Sequence, residues 1–490
     1  MIRSTCWSRF AGFSFVCGPL AVRSGLRCAR FDLSAHHLFP KIIPLMNPLP
    51  ISIRRRAPRV VAMAVTLLVS PAFADVELLN KLPAAPNPSG TVSLRQAIGM
   101  ALSNHPSLAT FTLDVRVAEA RMIQAGLKPN PQLNFTAENL PGSGPYKDGE
   151  LMEHTLQLSQ LVELGGKRDA RLREAEAGRT VAEWAYQVRR IEVLRDTAQS
   201  FVAVLASQKQ VLLAEETAGL AAKVTPMTQK RVEAGKANAV EVTRSNVAVA
   251  SAKIELEQAK RSLASARTNL AALWGARTAN FDGVAGDFGS IKSIPAFSSL
   301  VAQIKSHPEI TRWSAERAQR EAVLAREHTL AKADITVFGG PRTLGKAEEV
   351  TFTLGFSIPL PFKNRNQGAI AAAEVEIAKT DTERRTSEMN VFTQLSAAYQ
   401  VLLRAAREVE ILNKEVLPGA AEAENAVTEG YEAGRFTQLE ILDARRTLIQ
   451  ARHQQLRALS DYHQAVAEIE ALTAGPVNLP APGAAASSSK

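Results

Sequence analysis

The chain has 490 residues but only three cysteines, Cys6, Cys17 and Cys28, and all of them fall before residue 75. The stretch after residue 74 is without cysteine, which excludes disulfides, thiolate metal sites and an acylated cysteine at a new N-terminus there. Also missing past the leader is any apolar run of the roughly 18 residues that a spanning helix needs. Catalytic signatures are lacking too: there is no Gly-x-Ser-x-Gly, no phosphate-cradling Gly-x-x-x-x-Gly-Lys-[Ser/Thr] and no His-Glu-x-x-His. The sequence therefore points away from an enzyme and offers no cofactor site. Excess charge is scarce where it would matter. The formal net charge of +10 comes almost wholly from residues 1–74, which hold ten basic residues against one acid, Asp32; the remainder carries 48 basic and 47 acidic residues. A body so nearly neutral gives no electrostatic case for binding nucleic acid.

Within the leader, "SIRRRAPR" precedes the apolar run "VVAMAVTLLVS" and then "PAFA". That order reads as a secretory signal peptide, with Ala72 and Ala74 placed for an Ala-x-Ala cut after Ala74 and Met46 as the expected true start. Residues 75–92, with "KLPAAPNPSG", read as a flexible linker, and residues 476–490 as a disordered tail.

The body between them repeats itself. "SNHPSL" from Ser103 answers "KSHPEI" from Lys305, and "LQLSQL" from Leu156 answers "LGFSIP" from Leu354. "GGKR" from Gly165 sits where "KNRNQG" from Lys363 sits, and "VEAGKANAVEVTR" from Val232 becomes "YEAGRFTQLEILD" from Tyr431. A near-constant offset of about 200 residues over four places means duplication. The repeats are expected over 93–275 and 297–475, joined by a connection over 276–296.

Each repeat reads helix, strand, strand, long helix, turn, helix. Lys167 to Ala234 contains one proline, Pro226, and predicts a rod of roughly 100 Å. Gly368 to Ala433 predicts a second, broken only at Pro418. Val391, Leu395, Ala398, Leu402, Ala405, Val409, Leu412 and Val416 alternate spacings of four and three, as do Leu256, Ala259, Leu263, Ala266, Leu270 and Leu273. That period is the coiled-coil seam. The shorter helices, Pro106 to Leu127 and Asn238 to Leu273, laid end to end nearly match the rod beside them.

Between the helices the period becomes two. Strands are expected at about 131–140, 153–164, 334–342 and 349–361, clearest where Phe352, Leu354, Phe356, Ile358 and Leu360 alternate with Thr351, Thr353, Gly355 and Ser357. Length and pattern suit a transmembrane barrel, and equally a soluble sheet packed on helices. Four strands leave two open edges, which lipid does not tolerate, so insertion requires several chains to close one barrel. With the signal peptide, the rods and this closure, the expectation is a barrel in the outer membrane continued by a hollow bundle of coiled coils.

Over Thr91 to Gly475 these features resemble the TolC family of outer-membrane efflux ducts, and "LSQLVELGGKR" and "SIPLPFKNRNQG" resemble its cobalt-zinc-cadmium resistance, CzcC-like branch. The resemblance implies a mainly α fold with a small β part and a homotrimer whose four strands per chain make a 12-stranded barrel. It also implies a periplasmic α-barrel of long helices, a periplasmic adaptor (membrane fusion) protein as partner, and an inner-membrane proton-driven RND-type pump exporting divalent heavy-metal cations. A duct for drugs or protein secretion stays open as an alternative, as does a soluble periplasmic coiled-coil scaffold.

The repeated "EAG" stretch fits a hairpin tip in each half. Gly235 and Gly434 follow long helices as C-terminal glycines, and are expected to mark the tips that meet the adaptor. Asn238 with Glu241, and Thr437 with Glu440, read as capping boxes that start the next helix. Asp443 is not explained by capping, and the first copy has Arg244 there. The resemblance places Glu440 and Asp443 at an acidic periplasmic constriction and Tyr431 at a position of locking bonds; the bland reading pairs Asp443 with the arginines of "LDARR". Of the eight histidines, His36 and His37 lie in the leader. His105 and His307 precede prolines at matched positions, which fits a local structural role; His154, His328, His453 and His463 show no ligand spacing. No metal site is expected.

Overall fold

The computed structural model describes residues 86–345 and 349–475. The leader with Ala72 and Ala74, the linker up to residue 85 and the tail 476–490 lie outside the described residues.

Strand β1 (Gly90–Ser93) leads into α1 (Leu94–Asn104) and α2 (Pro106–Ala125). Strands β2 (Gln132–Glu138) and β3 (Glu153–Val162) follow, then the long α3 (Lys167–Glu233), α4 (Ala239–Ala272) and β4 (Phe281–Ala285). The second half repeats the plan with α5 (Phe297–Gln303), α6 (Pro308–Leu330), β5 (Ile335–Leu344), β6 (Glu349–Ser357), α7 (Gln367–Ile411), α8 (Leu417–Glu432) and α9 (Gln438–Leu472). At 67 residues α3 spans about 100 Å. It leaves the sheet at Lys167 and reaches the tip at Glu233, so sheet and tip stand at opposite ends of one rod. Helix α4 returns only half that way, and α2 covers the rest of the column. Helix α3 packs against α2, α4, α6 and α9, and so ties the two halves together.

Two sheets form. In the larger, the order β2-β3-β5-β6 is antiparallel throughout, and the β3–β5 pairing joins the repeats. Gly340 sits where these strands come closest: a Cβ there would run into the Leu156 carbonyl. Register puts Phe135, Leu156, Pro341 and Phe352 in one row and Leu133, Leu158, Gly339 and Leu354 in the next, all on one face. The opposite face carries Asn134, Thr136, Thr155, Gln157, Thr351 and Thr353, with Arg342 paired to Glu138 and Glu153. Among the described residues no helix covers the apolar face: Phe352, Leu354 and Phe356 are 82%, 83% and 70% exposed. The soluble-sheet alternative required that face to pack on helices, so it is set aside.

The smaller sheet was not legible in the sequence. Gly90–Ser93, at the end of the expected linker, pairs in parallel with Phe281–Ala285 inside the expected connection. This ribbon closes the core at mid-height of α3, where Phe201, Val204, Leu270, Trp274, Phe281 and Phe288 are buried together.

The seam of α7 is buried at Val391, Leu395, Ala398, Leu402, Ala405, Val409 and Leu412, as its spacing predicts. Val416 departs from it and is exposed. Leu412–Val416 form a π-helical turn between α7 and α8, just before Pro418 in the first turn of α8. Pro418 has no N–H to donate and its ring crowds the carbonyl four residues back, so the ladder widens by one residue. The inward stripe resumes at half-buried Leu417. Pro226, by contrast, lies inside an unbroken α3.

Candidate functional site at the hairpin tips

Both tips follow one design. Helix α3 ends with Lys236 N–H donating to the Arg231 carbonyl (2.8 Å), and α8 with Arg435 N–H donating to the Gly430 carbonyl (2.7 Å). This six-to-one closure needs a left-handed residue, supplied by Gly235 (φ +71°) and Gly434 (φ +75°). Three residues later the capping boxes close. The Asn238 side chain accepts from Val240 N–H at 3.1 Å, and the Glu241 side chain receives the Asn238 N–H. In the second tip Thr437 N–H and its hydroxyl both donate to Glu440 Oε2 at 2.7 Å. Those backbone and side-chain bonds from Thr437 hold the Glu440 carboxyl below its ordinary value.

Asp443, one turn further along α9, is exposed and has no ion pair among the described residues. Arg445, a candidate partner in the bland reading, is taken by Glu424 of α8 (2.9 Å). Tyr431 is 1% exposed and lies in the seam between α8 and α3. The Arg231 guanidinium stacks over its ring at 4.2 Å and donates to its carbonyl at 2.7 Å, while the Tyr431 hydroxyl is buried with no hydrogen-bond partner among the described residues. Arg244 of the first tip is exposed.

Sequence reading missed a second link between the tips. Gln438 is buried, and its amide donates to the Glu241 carbonyl (2.9 Å) and to Ser245 Oγ (2.6 Å), which in turn donates to Thr228 Oγ1 (3.4 Å). A signal was available: Gln438 directly follows a cap residue, where the matched Ala239 cannot donate. The histidines fall into local roles. His105 and His307 cap α2 and α6, each Nδ1 accepting at 3.1 Å from the N–H two residues on. Burial lowers the pKa of both. His154 stacks on Phe135 in the sheet, His463 bonds the Phe288 carbonyl, and His453 pairs with Glu255. Among the described residues no group of three or more His, Cys, Asp or Glu side chains converges on a metal position.

A four-stranded sheet with a bare apolar face and two open edges, at one end of rods about 100 Å long whose other end carries paired capped tips, defines a channel-forming protein of the bacterial outer membrane. The chain belongs to the outer membrane efflux protein family, whose model matches residues 97–276 and 311–475. It is 33% identical to the cobalt-zinc-cadmium resistance protein CzcC of Cupriavidus metallidurans over 78% of this chain and 90% of that protein. It is 27% identical to the nickel-cobalt-cadmium resistance protein NccC of Alcaligenes xylosoxydans xylosoxydans over 61% of this chain and 67% of that protein. Crystal structures of CusC, described in terms of folding and transmembrane channel formation, superpose with a TM-score of 0.66 at 20% identity, covering 81% of this chain and 98% of that one. The sheet is the outer-membrane portion and the helices its periplasmic extension, as in these folds.

Proposed function

We propose that this protein is the outer-membrane duct of a tripartite, proton-driven efflux system that exports divalent heavy-metal cations of the cobalt, zinc, cadmium or nickel kind. The similarity to CzcC and NccC supports the cargo. The bare apolar sheet face between two open edges carries the channel reading, since one chain cannot close it in lipid. Three copies give 12 strands, enough for an open bore, with the Asn, Thr and Gln face lining it. The two repeats over 93–275 and 297–475 each contribute two strands and one tip.

At the far end, the tips at Gly235 and Gly434 meet the periplasmic adaptor, and the adaptor joins the duct to an inner-membrane pump. Glu440 and Asp443, one turn apart on α9, put carboxylates at the mouth; three copies make an acidic ring that concentrates cations. Tyr431, clasped by Arg231, holds the second tip against the first while the duct is shut. Transport through it is passive, and selectivity belongs to the pump.

The test is a deletion strain challenged ion by ion. Loss of resistance to at least one of these cations, restored by the full chain found in the outer-membrane fraction, is the expected result. Unchanged tolerance to all four, with lost tolerance to an organic toxin, would replace the cargo.

A further inference from the structure

The sheet meets the helices at a collar built from two matched turns. Gly165 and Gly166 (φ +72° and +77°) carry the chain from β3 into α3, and Asn366 (φ +61°) starts α7 after β6. Beside these turns lies a cavity of about 620 Å³. Its back wall is the ion pair of buried Lys167 with Asp334 (2.7 Å), and Asp334 also accepts from Leu164 N–H at 3.0 Å. Two further lysines line it, Lys332 and Lys363, both exposed and neither in an ion pair among the described residues. The charged lining is thus three lysines and one aspartate, a net +2. A Cβ at Gly165 would strike the Lys332 side chain, so the glycine makes room for the stem of that lysine.

Apart from Asn364 and Asn366, the rest of the lining is apolar. Leu360 and Phe362 are 67% and 76% exposed and lie just past the end of β6, whose outward row is Phe352, Leu354 and Phe356. The cavity therefore sits just beyond the last apolar row, at the depth where hydrocarbon gives way to headgroups on the periplasmic side. Uncompensated cations above exposed apolar side chains at that depth match one kind of molecule: a phosphate on a pair of acyl chains.

We propose that this collar cavity binds the headgroup of an anionic phospholipid of the periplasmic leaflet, with Lys332 and Lys363 on the phosphate and Leu360 and Phe362 against the acyl chains. The inference rests on the outer-membrane reading of the sheet. Such a site gives a non-covalent hold on the bilayer at the base of the barrel.

The test is native mass spectrometry of the full chain purified from membranes and exchanged into nanodiscs of phosphatidylglycerol, phosphatidylcholine or both. The wild type is expected to retain phosphatidylglycerol selectively, and inorganic phosphate at millimolar concentration is not expected to displace it. The double variant Lys332→Gln/Lys363→Gln is expected to lose that retention by at least about fivefold, roughly the effect of one basic residue at an anionic surface, while Lys128→Gln/Lys147→Gln keeps it. Both lysines are exposed, so the variant should assemble; Lys363→Gln alone, with an intermediate loss, provides a second reading. Equal retention in the double variant, no preference between the two lipids, or displacement by inorganic phosphate would overturn the proposal. A wild type that needs no detergent and carries no lipid would instead overturn the membrane reading itself.

Discussion

Glu440 and Asp443 share a helix face but differ in what holds them. Glu440 is committed to the Thr437 cap, whereas Asp443 has neither cap role nor ion pair among the described residues. The variants that separate charge from capping follow from this. Glu440→Gln keeps a cap acceptor, because glutamine also serves in a capping box; Glu440→Ala loses about 1 kcal/mol of helix start. Asp443→Asn with Glu440→Gln is expected to lower both cation preference and cation conductance in planar bilayers without lowering thermal stability; unchanged conductance and selectivity would return both residues to cap and surface. The paired histidines give a second prediction. Burial holds His105 and His307 below the ordinary 6.5. In the folded chain they stay neutral and accept cap bonds, while the unfolded chain takes up protons first as pH falls. Their contribution is therefore complete above about pH 6.5 and is lost as pH drops through the folded values. His105→Asn/His307→Asn keeps the caps and is expected to flatten the fall in thermal midpoint between about pH 7 and pH 5; an unchanged slope would assign it elsewhere, His463 included. A local role for both was legible from His-Pro at matched positions; that each ring caps its helix was not. For Gln438–Ser245 only the polar residue at Gln438 was legible; its partner, 193 residues away, was not.

At the scale of the element, the heptad spacing in α7 located the buried seam residue by residue up to Leu412 and then failed at Val416. Pro418 signalled a break, but spacing does not say whether a helix answers a proline by kinking or by widening. Here it widens, and one extra residue moves the seam from Val416 to Leu417. Deleting Lys414 together with Pro418→Ala is expected to return this stretch to an α-helix with the seam continuous, and to change stability by no more than about 1 kcal/mol. Deleting Ser396 in mid-α7 removes the same length, yet turns each later seam residue about 100° out of register. That variant is expected to lose several kcal/mol by thermal unfolding; equal losses in the two would mean the π turn takes up no register. The strands were legible to within a few residues because period two is unambiguous in "VTFTLGFSIPL". The β1–β4 ribbon was hidden because four- and five-residue strands show too few alternations.

For the whole molecule, the decisive feature is an imbalance. The helical half buries its apolar residues within one chain, around Trp274 at the waist and around Leu395 and Tyr462 in the second half. The sheet does not: Leu133, Phe135, Phe352, Leu354 and Phe356 stay bare, and among the described residues β2 and β6 keep unpaired edges. Water penalises the first and lipid the second. The proposed closed ring of copies within a bilayer would satisfy both. Sequence alone exposed the alternation but not the absence of a covering helix, which depends on where α2 and α6 run. The most direct test is the structure of the full chain by electron cryomicroscopy in lipid nanodiscs. Three copies in one barrel, the β2 edge of each paired with the β6 edge of the next and the Phe352 row turned to lipid, is the expected result. A single water-dissolved copy whose Phe352, Leu354 and Phe356 lie under a helix would contradict it.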